Sequence, residues 1–155
     1  MTTRSDWPCV DEVDTSYLES LLGYNARRAS LAVIDVFLER MAPHGLKPVD
    51  FSVLSLVRHN PGITSRQLCA SLGILPPNLV GLVNALERRG LVNRQPHPRD
   101  GRAQGLHLTT AGQALIEAAE VTATELESEA ASELTAAELK TLLRLLRKVY
   151  QPPCG

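Results

Sequence analysis

Residues 63–109 read ITSRQLCASLGILPPNLVGLVNALERRGLVNRQPHPRDGRAQGLHLT, and this stretch decides the fold. Thr64-Ser65-Arg66-Gln67 is a capping box, in which hydroxyl and amide side chain each satisfy an orphan backbone N–H. Leu68 and Leu72 follow on one face, and Gly73 suits the left-handed position that ends a helix. Pro76 and Pro77 then open a second helix over 76–89. Its Leu79, Leu82, Val83 and Leu86 are spaced i, i+3, i+4, i+7 and bury one side. Asn78, Gly81, Asn84, Ala85 and Arg88 fall on the other, and Gly90 caps the end. Residues 91–95 and 105–108 read as strands around Pro96-His97-Pro98-Arg99-Asp100-Gly101, with Asp-Gly turn chemistry at its centre. Helix, tight turn, helix and an arginine-tipped hairpin make a winged helix-turn-helix, a device for reading duplex DNA.

Charge is distributed accordingly. The 155-residue chain has a net charge of only −1. From Phe51 to Leu108, however, seven arginines face two acids (Glu87 and Asp100), a local +5. From Thr109 to Leu139 there are seven glutamates and no Lys or Arg. A basic module beside an acidic one matters more to a polyanionic partner than the sum does.

At 44% apolar and 21% charged residues, the composition is that of a globular protein with a real core. No apolar run approaches the ~20 residues a membrane span needs. The polar, acidic start MTTRSDWPCVDEVD lacks the apolar stretch of a signal peptide, which implies cytoplasmic residence and no membrane partner. Cysteines 9, 69 and 154 form no CxxC pair, which argues against a disulfide framework or zinc knuckle. The sequence holds no GxSxG, P-loop, GxGxxG or HExxH, so an enzyme is not expected and no cofactor is implied.

Residues 1–15, with Pro8 and the acids Asp11, Glu12 and Asp14, read as an irregular arm. Its Trp7 packs either on a partner subunit or on the chain's own core. Ser16-Tyr17-Leu18-Glu19 reads as a capping box opening one helix of about 27 residues to Ala42, stopped by Pro43 and Gly45. Its apolar face is Leu18, Leu21, Leu22, Ala26, Ala29, Val33, Phe37 and Met41. Pro48 opens a second helix with Phe51, Val53, Leu54, Leu56 and Val57, ended by Asn60-Pro61-Gly62. Beyond the hairpin, Thr109 or Thr110 caps a long Ala- and Glu-rich helix running to about Ser132, with Leu115, Ala118, Ala119, Thr122 and Leu126 on one side. Thr135-Ala136-Ala137-Glu138 opens a final helix bearing Leu139, Leu142, Leu143, Leu145, Leu146 and Val149. So wide an apolar face on a short helix reads as a dimer interface rather than burial within one subunit. The expected fold is mainly α, with six helices and a small β-hairpin wing. Residues 48–109 form the DNA-binding lobe, and 16–47 with 110–155 the helical dimerisation region.

That order of elements resembles the MarR family of bacterial transcription regulators. The resemblance is carried by Leu68 to Leu72 with Gly73, by Leu86-Glu87-Arg88-Arg89-Gly90-Leu91-Val92-Asn93-Arg94, by Asp100-Gly101-Arg102, and by Leu108-Thr109-Thr110-Ala111-Gly112. It spans about residues 17–150 and implies a homodimeric repressor or activator whose grip on DNA is altered by a small molecule.

A recognition helix at 76–89 would enter the major groove, with Pro77, Asn78, Gly81 and Asn84 facing bases and Arg88 near the backbone. Asn78 and Asn84 suit adenine edges. Family members usually carry Ser, Thr or Arg where Pro77 and Gly81 stand, so direct base readers are few. Arg102 matches the family's minor-groove arginine, drawn by the negative potential of a narrow groove. The family pattern implies that Asp100 pairs with Arg102 and fixes the turn. Arg94 and Arg99 suit phosphate contacts. Ser65 and Arg66, at a helix start, are either a further phosphate site or solvated surface.

The resemblance also implies an effector cavity between the first two helices, the fifth and the DNA-binding lobe. Candidates are Tyr24, Arg27, Arg28, His44 and Arg58, which would suit an anionic aromatic effector such as a carboxylate or its thioester. Alternatives within the same fold are redox sensing through Cys9 and metal sensing, although His44, His59, His97 and His107 lack metal-ligand spacing. A winged-helix module for protein–protein contact would not need the basic wing.

Overall fold

The computed structural model describes residues 10–151, so Trp7, Cys9 and Cys154 lie outside the described residues. In chain order the elements are α1 (Ser16–Glu19), α2 (Leu22–Met41), a 3-10 turn (Ala42–His44), α3 (Pro48–His59), β1 (Ile63–Thr64), α4 (Ser65–Leu72), α5 (Pro76–Arg88), β2 (Val92–Pro96), β3 (Gln104–Leu108), α6 (Thr110–Ala130) and α7 (Ala136–Tyr150).

The first helix is not continuous. Ser20 Oγ donates to the Tyr17 carbonyl at 2.7 Å, and Leu21 takes an extended backbone. Asn25 Nδ2 donates to the carbonyls of Glu19 (2.7 Å) and Leu21 (2.8 Å), capping what the break exposes. Side chains that bond the local backbone compete with the helix ladder. The capping box read at Ser16 is replaced by contacts framed one or two residues earlier. Asp14 Oδ1 accepts from the Ser16 amide (2.9 Å), and Thr15 Oγ1 donates to Glu19 (2.5 Å). This break makes seven α-helices among the described residues where six are expected.

The other caps form as the sequence reads. Thr64 and Gln67 satisfy each other's amides at the start of α4, and Thr135 and Glu138 do so at α7. Thr109 caps α6 through the Gly112 amide at 3.0 Å. Gly73 ends α4 with φ +64°, a conformation costly for any side chain with a Cβ.

The hairpin gains a third strand that sequence reading missed. The sheet order is β1-β3-β2, all antiparallel, with Ile63 opposite Leu106 and Val92 opposite Leu108. Two residues are too short to show an alternating pattern, so β1 leaves no periodic signal.

The core gathers Val53, Leu54 and Val57 of α3, Leu68 of α4, Leu79, Val83 and Leu86 of α5, Leu106 of β3, and Ile116, Ala119 and Leu126 of α6. Leu72, Leu82 and Leu115 are half-buried, whereas Ala118, expected on the inner side of α6, is exposed. Leu91 carries the turn from α5 into the sheet, and α6 presses against it so closely that only glycine fits at 112. A Cβ there would lie 2.0 Å from the Leu91 carbonyl oxygen. Phe37 and Phe51 meet edge to face at 5.7 Å where α2 packs beside α3. By contrast α7 buries no residue, and Leu142, Leu143, Leu145, Leu146 and Val149 are all exposed.

Candidate nucleic-acid interface

Helix α5, the expected recognition helix, starts from two prolines, which have no N–H to offer an anion. The amides of Asn78 and Leu79 are already bonded to the Leu75 carbonyl. The positive end of α5 is therefore spent internally, which leaves its side chains as the groups it can offer a partner.

Burial of Leu79, Val83 and Leu86 turns the opposite face of α5 outward. Pro77, Asn78, Gly81 and Arg88 are exposed there, and Asn84 is half-buried. Val80 shares that surface at 52% exposure, although sequence reading overlooked it. Its position three residues after Pro77 and four before Asn84 was the signal available.

Arg94, expected at a phosphate, is committed within the protein. Its Nη1 lies 2.7 Å from Glu87 Oε2, and its Nη2 donates to Asn84 Oδ1 at 2.8 Å. It ties β2 to α5. Arg89 likewise donates to the Gly45 carbonyl at 3.2 Å. In contrast, Arg66, Arg88, Arg99 and Arg102 are exposed and make no ion pair among the described residues. These four cations, on α4, α5 and the wing, are available to phosphate.

The wing tip is shaped by backbone bonds. His97 N donates to the Ala103 carbonyl (2.9 Å), and Ala103 N donates to that of Asp100 (3.0 Å). Asp100 does fix the turn, but through the backbone: its Oδ1 accepts from the Arg102 amide at 3.1 Å. The expected pairing with the Arg102 guanidinium is absent, because the amide lies closer to a carboxylate two residues back. This leaves the guanidinium projecting freely. His97 Nδ1 accepts from the Arg99 amide at 3.2 Å, a contribution sequence reading did not assign. Ser65 and Arg66 stand exposed at the first turn of α4, beside the capping box.

The effector candidates are dispersed. Arg27 and Arg28 are exposed on α2, and Tyr24 is half-buried one turn before them. His44 Nε2 and Thr122 Oγ1 are 2.9 Å apart, joining the 3-10 turn to α6. Arg58 is already neutralised by Glu120 and by Glu117 at 3.3 Å, which removes it as an open anion anchor in this conformation. Glu120 also accepts from Ser55 (2.8 Å) and contacts His59 (3.0 Å). Burial raises its pKa, but the hydrogen bonds from Ser55 and His59 and the Arg58 charge outweigh that and hold its carboxyl below the ordinary range. An open depression of about 560 Å³ lies elsewhere, lined by Leu56, Asn60, Gly62, Gln67, Ser71 and His97 among others. Among the described residues no single helix is long and apolar enough to cross a membrane. Cys69 is half-buried against the core.

This geometry has close counterparts. The MarR family pattern matches residues 44–103. The apo form of MarR from E. coli is 30% identical, with a TM-score of 0.70 over 83% of this chain and 96% of that one. The chain belongs to the MarR family. It is therefore a winged-helix, DNA-binding transcription regulator, and its relatives are regulators rather than enzymes. Another MarR-like structure, the transcriptional repressor CouR bound to a 23-mer DNA duplex, is 38% identical, with a TM-score of 0.84 over 91% of this chain and all (100%) of that one. CouR bound to p-coumaroyl-CoA is 37% identical, with a TM-score of 0.82 over 91% of this chain and 99% of that one. A candidate regulator of the hcr operon from Thauera aromatica is 28% identical over 131 residues, 84% of this chain and 79% of that protein.

Proposed function

We propose that this MarR-family protein is a homodimeric repressor that binds a pseudo-palindromic operator and is released by a small anionic aromatic effector. The observation that carries the reading is the pairing of an outward-facing recognition helix with a wing whose Arg99 and Arg102 are unpaired among the described residues. Arg102 enters the minor groove beside each half-site, where narrow-groove potential favours a guanidinium. Arg66, Arg88 and Arg99 neutralise phosphates, and Pro77, Asn78, Gly81 and Asn84 face the bases. Arg94 and Asp100 serve from behind, holding α5 and the wing tip in shape.

Residues 48–109 act as the DNA-binding lobe. Residues 16–47 and 110–155 pair two subunits, which is what the exposed leucines of α7 and Leu18, Leu21 and Leu22 around the break between α1 and α2 support. The arm expected at residues 1–15 falls mostly outside the described residues. Two-fold symmetry sets half-sites about one helical turn apart. The effector acts by preferring a subunit spacing that DNA does not accept. The binding of p-coumaroyl-CoA by CouR supports an aryl carboxylate or its thioester as the effector class. Tyr24, Arg27, Arg28, His44 and Arg58 are its candidate contacts. Arg58 would have to exchange Glu117 and Glu120 for the anion.

The test is binding to the DNA upstream of the protein's own gene at two salt concentrations, with and without p-coumaroyl-CoA. Steep salt dependence and release by the thioester, but not by coenzyme A alone, are expected. Binding that ignores salt and Arg102→Ala would overturn the regulator mechanism, and indifference to every aryl thioester and carboxylate tried would overturn the effector class.

A further inference from the structure

The outward face of α5 sets exposed apolar carbon beside a polar amide. Pro77, Val80, Gly81 and Asn84 align at three- and four-residue steps. Val80 is apolar yet 52% exposed. A Cβ on Gly81 would meet nothing within 4 Å, so no internal packing requires glycine there. Its effect is to lower the helix surface between Val80 and Asn84, bringing the backbone within reach of a groove floor.

Asn84 has its polarity fixed from behind. Its Oδ1 accepts from Arg94 at 2.8 Å. Arginine has donors and no acceptor, so only the amide oxygen can face it. Glu87 holds that guanidinium in place at 2.7 Å. The Asn84 NH2 group has no hydrogen-bond partner among the described residues and is left as a pure donor.

Asparagine reads adenine through both its carbonyl and its amide. Arg94 already takes one of the two lone pairs of that carbonyl, so a bidentate adenine pair would have to share the oxygen, whereas the NH2 is wholly uncommitted. In the major groove cytosine shows a donor, guanine two acceptors, and thymine an O4 acceptor beside a C5 methyl. A donor next to exposed apolar carbon matches thymine.

We propose that α5 selects thymine, with Pro77 and Val80 packing on C5 methyl groups and Asn84 donating to O4. The proposal deepens the DNA-binding reading above and rests on it.

The experiment starts by selecting duplexes from a randomised pool with the purified full-length protein. Each thymine of the enriched half-site is then replaced singly by deoxyuridine, which lacks only the methyl. At one or more positions binding should weaken about fourfold, the worth of one buried methyl-sized group. Val80→Ala, a surface change that leaves the core intact, should lose that sensitivity at the same position. Asn84→Asp retains an acceptor for Arg94 but no donor, and should lose the preference for thymine. Enriched half-sites indifferent to every deoxyuridine, or Val80→Ala with undiminished sensitivity, would overturn the thymine assignment alone. A pool that yields no enriched sequence would overturn the DNA-binding mechanism, and the thymine assignment with it.

Discussion

Arg94 Nη2, on the first strand of the wing, donates to Asn84 Oδ1 in the middle of the recognition helix over 2.8 Å. The same guanidinium pairs with Glu87 one turn further along α5. A residue expected to neutralise phosphate instead joins wing and helix into one body. Arg94→Ala should therefore change which half-sites are preferred while leaving the slope of log K against log salt unchanged. Arg99→Ala should lower that slope by about one. Titrations at several salt concentrations with each variant separate the two roles, and a fall in slope for Arg94→Ala would return it to the phosphate.

Arg102 has its backbone amide anchored by Asp100 at 3.1 Å while its guanidinium stays unpaired among the described residues. Removing that guanidinium should weaken operator binding by about tenfold or more with little effect on stability. Asp100→Ala should act indirectly, by loosening the turn, and cost less. Comparing both affinities with both unfolding midpoints checks the order.

Gly112 is set by contact rather than by dihedral angle. A methyl group there would collide with the Leu91 carbonyl at 2.0 Å. That carbonyl also accepts from the Thr109 amide at 3.0 Å, so it cannot retreat without breaking the junction of β3 and α6. Gly112→Ala should destabilise by about 1–3 kcal/mol, the usual cost of overpacking, measured by urea unfolding. At Gly81, where the space is open, alanine should be tolerated or mildly stabilising because it favours helix.

Glu120 is held below its ordinary pKa of 4.5 although burial alone would raise it. A carboxyl whose pKa is depressed on folding contributes stability fully above its unfolded value and loses it as pH falls through the folded one. Its contribution should be complete at neutral pH and decline progressively once the pH falls below about 4.5. Glu120→Gln should be less stable than the parent near neutrality, and the gap should close on acidification. Urea midpoints of both proteins across that range test this, and a gap that widened in acid would refute the assignment.

The leucines of α7 are uncovered in the single chain, with Leu142, Leu145 and Leu146 between 39% and 46% exposed. Replacing Leu142 and Leu146 by Glu should leave the helical circular dichroism intact, because neither supports the core. It should convert a dimer to a monomer in sedimentation and weaken operator binding with it. A double variant that remained dimeric would place the interface elsewhere.

The sequence by itself determined what depends on local chemistry. Thr64 with Gln67, Thr135 with Glu138 and the proline pair at 76 and 77 place helix starts, and 3.6-residue periodicity assigns Leu79, Val83 and Leu86 inward. These signals act over a few residues, so spacing is enough. Tertiary structure decided what depends on partners far along the chain. Asn84 meets Arg94 ten residues away, and Arg58 meets Glu117 and Glu120 about sixty residues away. The two-residue β1 exists only because β3 presents its edge. Whether an arginine is free for DNA or spent on a carboxylate depends on which acid the fold brings within hydrogen-bond reach, and a count of charges along the chain carries no such distance.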